Sequence, residues 1–139
     1  MGLIYLLDTN IISEPTKKQP NQNVLQKLKQ HNGQYAISSI TWHELNYGVD
    51  KMPIGKRKSL LQQYLHTLEI NKLNILPYDK AAARWLATER HRLITIGSTP
   101  AKEDSEIAAI AITNKLILAT RNTTDFESMN DLIIENWFL

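Results

Sequence analysis

Short unbroken apolar runs punctuate this chain, and longer stretches with helical spacing separate them. Ile4–Leu7 is the first run; QYAISS (34–39), KLNILPY (72–78), KLILAT (115–120) and DLIIENW (131–137) have the same form. A strand covered by helices on both faces reads this way, because neither of its side-chain directions meets water and polar residues have no reason to alternate in. Five strands are therefore predicted. Between them, apolar residues recur three and four apart, at Leu60, Leu61, Tyr64, Leu65 and Leu68, and again at Ala82, Trp85, Leu86 and Leu93 with Glu89 in the same register. That spacing predicts amphipathic helices. Pro15 and Pro20 end the first helix-like stretch, Met52-Pro53-Ile54-Gly55 separates the helix after Glu44 from the next, and Ile96–Pro100 stops the helix before Asp104. Strands alternating with helices imply an α/β fold, a mainly parallel central sheet of about five strands flanked by helices and joined by right-handed crossovers. No break is long enough for a linker, so one domain over 1–139 is expected.

Composition narrows the chemistry. The absence of cysteine removes disulfides, thiolate metal sites and thiol nucleophiles. No apolar stretch approaches the ~20 residues that cross a bilayer, and the first ten residues lack the basic start of a secretory signal; a cytoplasmic protein without membrane contact is expected. A net charge of +2 does not announce a polyanionic partner by itself. The cations are nevertheless clustered, at Lys17, Lys18, Lys27 and Lys29, at Lys51 and Lys56–Lys58, and at Arg84, Arg90, His91 and Arg92. Solvated helix faces explain such clusters when each is taken alone.

The acids change the picture. In an open α/β sheet, ligands bind beyond the carboxyl ends of the strands, near the point where strand order reverses. Asp8 follows the first run, Glu44 lies in ITWHELNYG just after the second, Asp104 opens the helix DSEIAAIAITN, and Asn122 and Asp125 sit in RNTTDF after the fourth. Each has an ordinary explanation. Asp8 or Thr9 can cap the helix at Ile11; Thr41–Glu44 matches a capping box; Asp104 suits the positive end of its helix; and Asn122–Asp125 resembles a turn. Three or more carboxylates converging on one crevice, however, repel and raise one another's pKa unless a cation is present. Mg²⁺ or Mn²⁺, which take oxygen ligands, would relieve the crowding. The reaction such a centre serves is in-line hydrolysis of a phosphodiester.

Four segments in this order, LDTNIIS, SSITWHELNYG, DSEIAAIA and LATRNTTDF, resemble the PIN-domain ribonucleases, and most closely the VapC toxins of bacterial type II toxin-antitoxin systems. The resemblance runs from Ile4 to Trp137. It implies a PIN-like, Rossmann-like fold and a metal-dependent endoribonuclease, usually dimeric, held inactive by a VapB-type antitoxin and cutting structured RNA such as a transfer or ribosomal RNA. Carried over position by position, Asp8, Glu44 and Asp104 correspond to the acids that hold Mg²⁺ or Mn²⁺. Asn122 stands where many relatives carry an acid, and Asp125 follows three residues on; the pattern leaves open which of them faces the metal, and Asp125 is the weaker fourth catalytic acid. Thr9, Asn10 and Thr120 are expected to hold the Asp8 carboxylate by hydrogen bonds, with Asn122 as a further support, and the helix-cap role passes to Thr9. Glu103 and Glu106 do not share the helix face of Asp104 and are expected to be exposed or peripheral.

Other readings of these residues fit less well. A haloacid-dehalogenase phosphatase needs a second Asp two residues after Asp8, where Asn10 stands, and a receiver domain would leave Glu44 and Asp104 without a role. His43-Glu44 lacks the second histidine of H-E-x-x-H, so zinc hydrolysis is not supported, and His31, His66 and His91 are expected to be ordinary surface or helix histidines. The class-level rival is a PIN-like module that binds RNA or protein without cutting. Lys56–Lys58 and Arg84–Arg92 are candidates for the RNA backbone. Trp42, Tyr47, Tyr64 and Trp85 are expected in the core or an interface, not as base-stacking platforms, and the helix Leu60–Leu68 is a candidate surface for a dimer or an antitoxin.

Overall fold

The structure is a computed structural model that describes residues 2–139. Its elements run β1 (Tyr5–Leu7), α1 (Thr9–Ile12), a 3₁₀ turn (Glu14–Thr16), α2 (Gln22–Gln30), β2 (Tyr35–Ser38), α3 (Ser39–Asp50), α4 (Lys56–Ile70), β3 (Asn74–Leu76), α5 (Lys80–Thr95), α6 (Lys102–Thr113), β4 (Ile117–Ala119), a second 3₁₀ turn (Thr123–Asp125) and β5 (Ile134–Glu135). The five strands form one sheet in the order β3-β2-β1-β4-β5, every neighbouring pair parallel. This is the α/β fold and five-stranded parallel sheet that the apolar runs imply. β2 and β3 are laid on one side of β1 and β4 and β5 on the other, so the order reverses between β1 and β4.

The unbroken apolar runs are explained by two cores, one on each face. Leu6, Ala36 and Leu118 pack with Leu93, Ile107, Ile110 and Phe126 under α5 and α6. Their strand neighbours Tyr5, Leu7, Ile37 and Ala119 point the opposite way, to Ile11, Ile12, Val24 and Trp137. Successive side chains of a strand alternate in direction, so a strand with both faces covered must be apolar at every position. β3 departs from the expected pattern: at the sheet edge, its Asn74 and Ile75 are exposed. An edge strand has one neighbour and less cover, which an apolar run cannot reveal.

α2 leaves too faint a stripe in the sequence to be predicted from spacing. That helix has only Val24 fully buried, and Asn21 caps it by accepting the Val24 N–H at 3.1 Å. Nor does the first helical stretch run to the prolines. α1 ends at Ile12, and Pro15 lies inside the 3₁₀ turn, whose short geometry tolerates a residue without an N–H near its start. At the α5–α6 junction, Gly97 has φ +79°, and the Ser98 N–H closes back to the Leu93 carbonyl at 2.8 Å. This left-handed residue is readily adopted by glycine. It turns the chain so that α6 returns with its first turn at the carboxyl end of the sheet.

Candidate active site

Asp8 is fixed before any ligand is considered. Its N–H donates to the Ala119 carbonyl at 2.9 Å, which extends the β1–β4 ladder one residue past the strand. The side chain, 6% exposed, lies at the reversal point of the sheet. Oδ1 accepts the Thr9 N–H at 2.8 Å; Oδ2 accepts the Thr120 hydroxyl at 2.8 Å and the Asn10 Nδ2 at 3.3 Å. Asp8 is thereby the N-cap of α1 itself, a correction to the assignment of that role to Thr9. Cap and site coincide because the turn that starts α1 also projects the carboxylate from the strand end.

Thr9 instead turns its hydroxyl to α3, 3.2 Å from Glu44 Oε2 and 3.3 Å from Thr41 Oγ1. Glu44 is exposed and takes no part in a capping box. Ser38 caps α3, accepting the Thr41 N–H at 3.0 Å, so the capping box that is the ordinary alternative for Thr41–Glu44 does not form. The helix starts at Ser39, earlier than that motif requires, and the move places Glu44 in the second turn facing Thr9. Desolvation pushes the Glu44 carboxyl up; the Thr9 hydroxyl and His43 oppose this, Asp8 and Glu103 add to it, and the net shift is upward.

Asp104 lies in the first turn of α6, half-buried. Burial, followed by the charges of Asp8, Asp125, Glu44 and Glu103, pushes its carboxyl from an ordinary 3.8 up to about 6. The acids separated in sequence are therefore close enough to feel one another. Asp125 is exposed in its 3₁₀ turn and contributes to this field, whereas the exposed Asn122 contributes its backbone N–H to the Thr120 hydroxyl at 3.1 Å. Glu103 is exposed at the rim. Glu106 lines a separate cavity of about 320 Å³ bounded by Tyr78, Arg90 and Lys102. Among the described residues, no three histidine or carboxylate side chains stand close enough together to ligate an ion directly. An all-oxygen set of this looseness suits Mg²⁺ or Mn²⁺, since Mg²⁺ in particular keeps several waters and takes only one or two carboxylates.

Two groups of the site have no counterpart among the residues expected from the sequence: Thr41 and the Arg121 backbone N–H. Thr41, fully buried, shares the Thr9 hydroxyl, and Asn10 Oδ1 accepts the Arg121 N–H at 2.9 Å. A threonine on the buried side of α3 was the available signal for the first; nothing local pointed to the second. The expected basic clusters divide. Arg92 is turned inward to Glu89 and the Ser128 carbonyl, so it is not a free phosphate contact, while Arg90 remains exposed. Trp42 and Trp85 pack at the edges of the two cores, and the Tyr64 hydroxyl donates to the Ile12 carbonyl. Tyr47 does not join them. It is 58% exposed, stacked on His43 and covered by Lys51. His31 is more than a surface histidine, packing against both Tyr5 and Trp137 in a three-ring cluster.

Residues 5–132 match the model of the PIN domain family. The VapC ribonuclease Y4jK of Sinorhizobium fredii is 36% identical, with 96% of this chain and 98% of the relative aligned. The chain is a PIN domain of the VapC toxin family. The tRNA(fMet)-specific endonuclease VapC of Shigella flexneri is 32% identical to this PIN domain over 97% of the chain and 98% of the relative. Among solved structures, FitAB bound to an IR36 DNA fragment superposes with a TM-score of 0.89 at 34% identity, covering 98% of this chain and 96% of that one.

Proposed function

We propose that this PIN domain is a toxin that hydrolyses RNA phosphodiester bonds with Mg²⁺ or Mn²⁺ held by Asp8, Glu44 and Asp104, and that a VapB-type antitoxin restrains it. The observation that carries the reading is the field that Asp8, Glu44 and Asp104 exert on one another near the β1–β4 reversal point, beside an Asp8 carboxylate immobilised by Thr9, Asn10 and Thr120. When bound, the cation supplies charge for the phosphoryl oxygens and lowers the pKa of water. The residues supply position. Thr120 and Asn10 hold Oδ2 of Asp8 in one orientation, Thr9 does the same for Glu44, and Asp125 adds a fourth negative charge beside Asp104. Orienting partners of this kind tune a ligand and its affinity for metal.

A relative named a VapC ribonuclease, and one named a tRNA(fMet)-specific endonuclease, support RNA as the substrate, with a transfer RNA among the candidate targets. The FitAB complex supports an antitoxin partner. Leu60 on α4, 48% exposed, offers apolar surface to that antitoxin or to a second copy in a homodimer. No helix among the described residues is long and apolar enough to cross a membrane.

The test is incubation of metal-free protein with total RNA, followed by Mg²⁺ or Mn²⁺ and mapping of the new 5′ ends. Defined fragments are expected only with metal. The reading is overturned if metal yields none, or if Asp8→Asn and Asp104→Asn cut as well as the parent.

A further inference from the structure

Glu14 is a buried acid that this site does not use. It follows α1 at the carboxyl end of the sheet and is 4% exposed. Oε2 accepts the Asn21 N–H at 2.7 Å, and Oε1 is left to the Lys17 ammonium at 3.1 Å. Burial pushes the carboxyl up, but the Asn21 N–H, Lys17 and Arg121 together outweigh it and hold Glu14 below its ordinary range. A cation from beyond β4 thus lies within electrostatic reach of the segment after β1.

Arg121 follows Thr120, the residue whose hydroxyl grips Asp8. Its N–H is fastened to Asn10, and its guanidinium lies 4.6 Å from the centre of the Phe138 ring. The Phe138 carbonyl is gripped in turn by Asn21 Nδ2 at 3.4 Å and Asn23 Nδ2 at 3.3 Å. Contacts therefore pass from the Asp8 support through Arg121, Phe138 and Asn21 to Glu14 and Lys17. Arg57 joins from α4, with Nη1 donating to the Thr16 carbonyl at 2.7 Å. Lys17, Arg57 and Arg121 are far apart in sequence, yet all three are exposed and converge on the segment after α1, Lys17 and Arg121 acting on the Glu14 carboxylate and Arg57 on the Thr16 carbonyl.

We propose that Arg121, Lys17 and Arg57, ranged about the segment after α1, form the edge along which the phosphate backbone of single-stranded RNA is led to Asp8. Fastening α2 requires Glu14 and Asn21; it does not require two exposed guanidinium groups beside them. A stacked guanidinium is restrained in orientation and keeps its planar fork for phosphate, and contacts of this kind orient the strand without reading its bases. RNA is favoured over an acidic peptide because the edge borders a centre read above as cutting phosphodiesters. The proposal rests on that reading for its substrate.

The test is fluorescence anisotropy of a labelled single-stranded RNA of mixed sequence, titrated with the full chain in EDTA over a range of salt concentrations, where binding is seen without cleavage. Arg121→Ala and Arg57→Ala are each expected to weaken binding and to reduce the slope of log affinity against log salt by about 0.7. Arg121→Lys, which keeps the charge, should retain the slope, and Lys29→Ala, near the far end of α2, should change nothing. Unchanged affinity and slope in both alanine variants overturn the proposal. So does displacement of the RNA by a polyglutamate peptide at lower concentration than by unlabelled RNA, which would assign the edge to a protein partner. Arg121-dependent binding without metal-dependent cleavage would overturn the ribonuclease reading and leave the RNA edge standing; cleavage with unaltered binding would do the reverse.

Discussion

Glu89 and Asp104 are acids on the adjacent helices α5 and α6, and their surroundings treat them oppositely. Glu89 is the deeper, 5% exposed, yet it is settled. Arg92 Nε and Nη2 donate to its two oxygens at 2.7 Å each, and the Asn130 N–H adds a bond at 2.6 Å. The Arg92 contacts outweigh burial, and the carboxyl lies below its ordinary range. Asp104 is shallower, forms no ion pair among the described residues, and is pushed up to about 6. Burial raises both carboxyls; at Glu89 the Arg92 and Asn130 contacts outweigh it, whereas at Asp104 burial is the larger cause and the neighbouring acids add to it. The same chain that neutralises Glu89 with an arginine three residues away leaves four acids acting on Asp104 at the sheet's reversal point. Unrelieved repulsion at a crevice is characteristic of a site whose counter-charge comes from outside the chain.

The contrast can be broken from either side. The largest effect is expected at the hub: Asp8→Asn should lower RNA cleavage roughly a thousandfold, about 4 kcal/mol in the barrier, with little change in the urea midpoint. Glu89→Ala should do the opposite. It leaves the Arg92 guanidinium and the Asn130 N–H without their partner, and urea denaturation should show a loss of about 3 kcal/mol, while cleavage per folded molecule is unchanged. If Glu89→Ala abolished cleavage without loss of stability, the division between settled and unsettled acids would fail.

A smaller effect sharpens the role of the support. Thr120→Val removes the hydroxyl from Asp8 Oδ2 and should weaken Mn²⁺ binding, read by calorimetry, by roughly tenfold to a hundredfold. The smallest effect is in pH dependence. The Asp104 carboxyl holds its proton more tightly folded than unfolded, so its contribution destabilises the metal-free fold progressively as pH rises from about 3.8 through about 6. Glu89 has the reverse sign: its contribution is present above its ordinary range and is lost as pH falls through its lowered value. Asp104→Asn should therefore raise the metal-free Tm at neutral pH relative to the parent and bring no gain in strong acid, where the parent's Asp104 is already protonated. At limiting metal, cleavage by the parent should fall as pH drops, because the proton then competes with the metal for Asp104, and added metal should move that fall to lower pH.

How far the chain could be read in advance differs between its parts. The five strands were legible because both faces of the central strands are covered, and an apolar residue at every position records that cover directly. α2 was not, since a helix with one fully buried position leaves too faint a stripe. At the site, Asp8 stood at a strand end where the α/β rule places ligands and Glu44 on the helix after β2, but Asp104 follows α5 and is brought to the site by the α5–α6 junction, and the local capping patterns pointed to the wrong residues. Thr9 and Thr41 each satisfy a capping pattern locally, while Asp8 and Ser38 hold those positions in the fold.

Sequence alone determined which groups were available: acids after successive strands, an all-oxygen donor set without cysteine, and cations in separate clusters. Tertiary structure decided which of them meet. It turned Thr9 from cap to bridge, sent Arg92 inward to Glu89, and drew Lys17 and Arg121 to Glu14 and Arg57 to Thr16. The reason is physical. Strand and helix periods are set by neighbours along the chain, whereas the partner of a charged or hydroxyl side chain is set by what the crossovers bring within about 3 Å of it, and no local spacing encodes that distance.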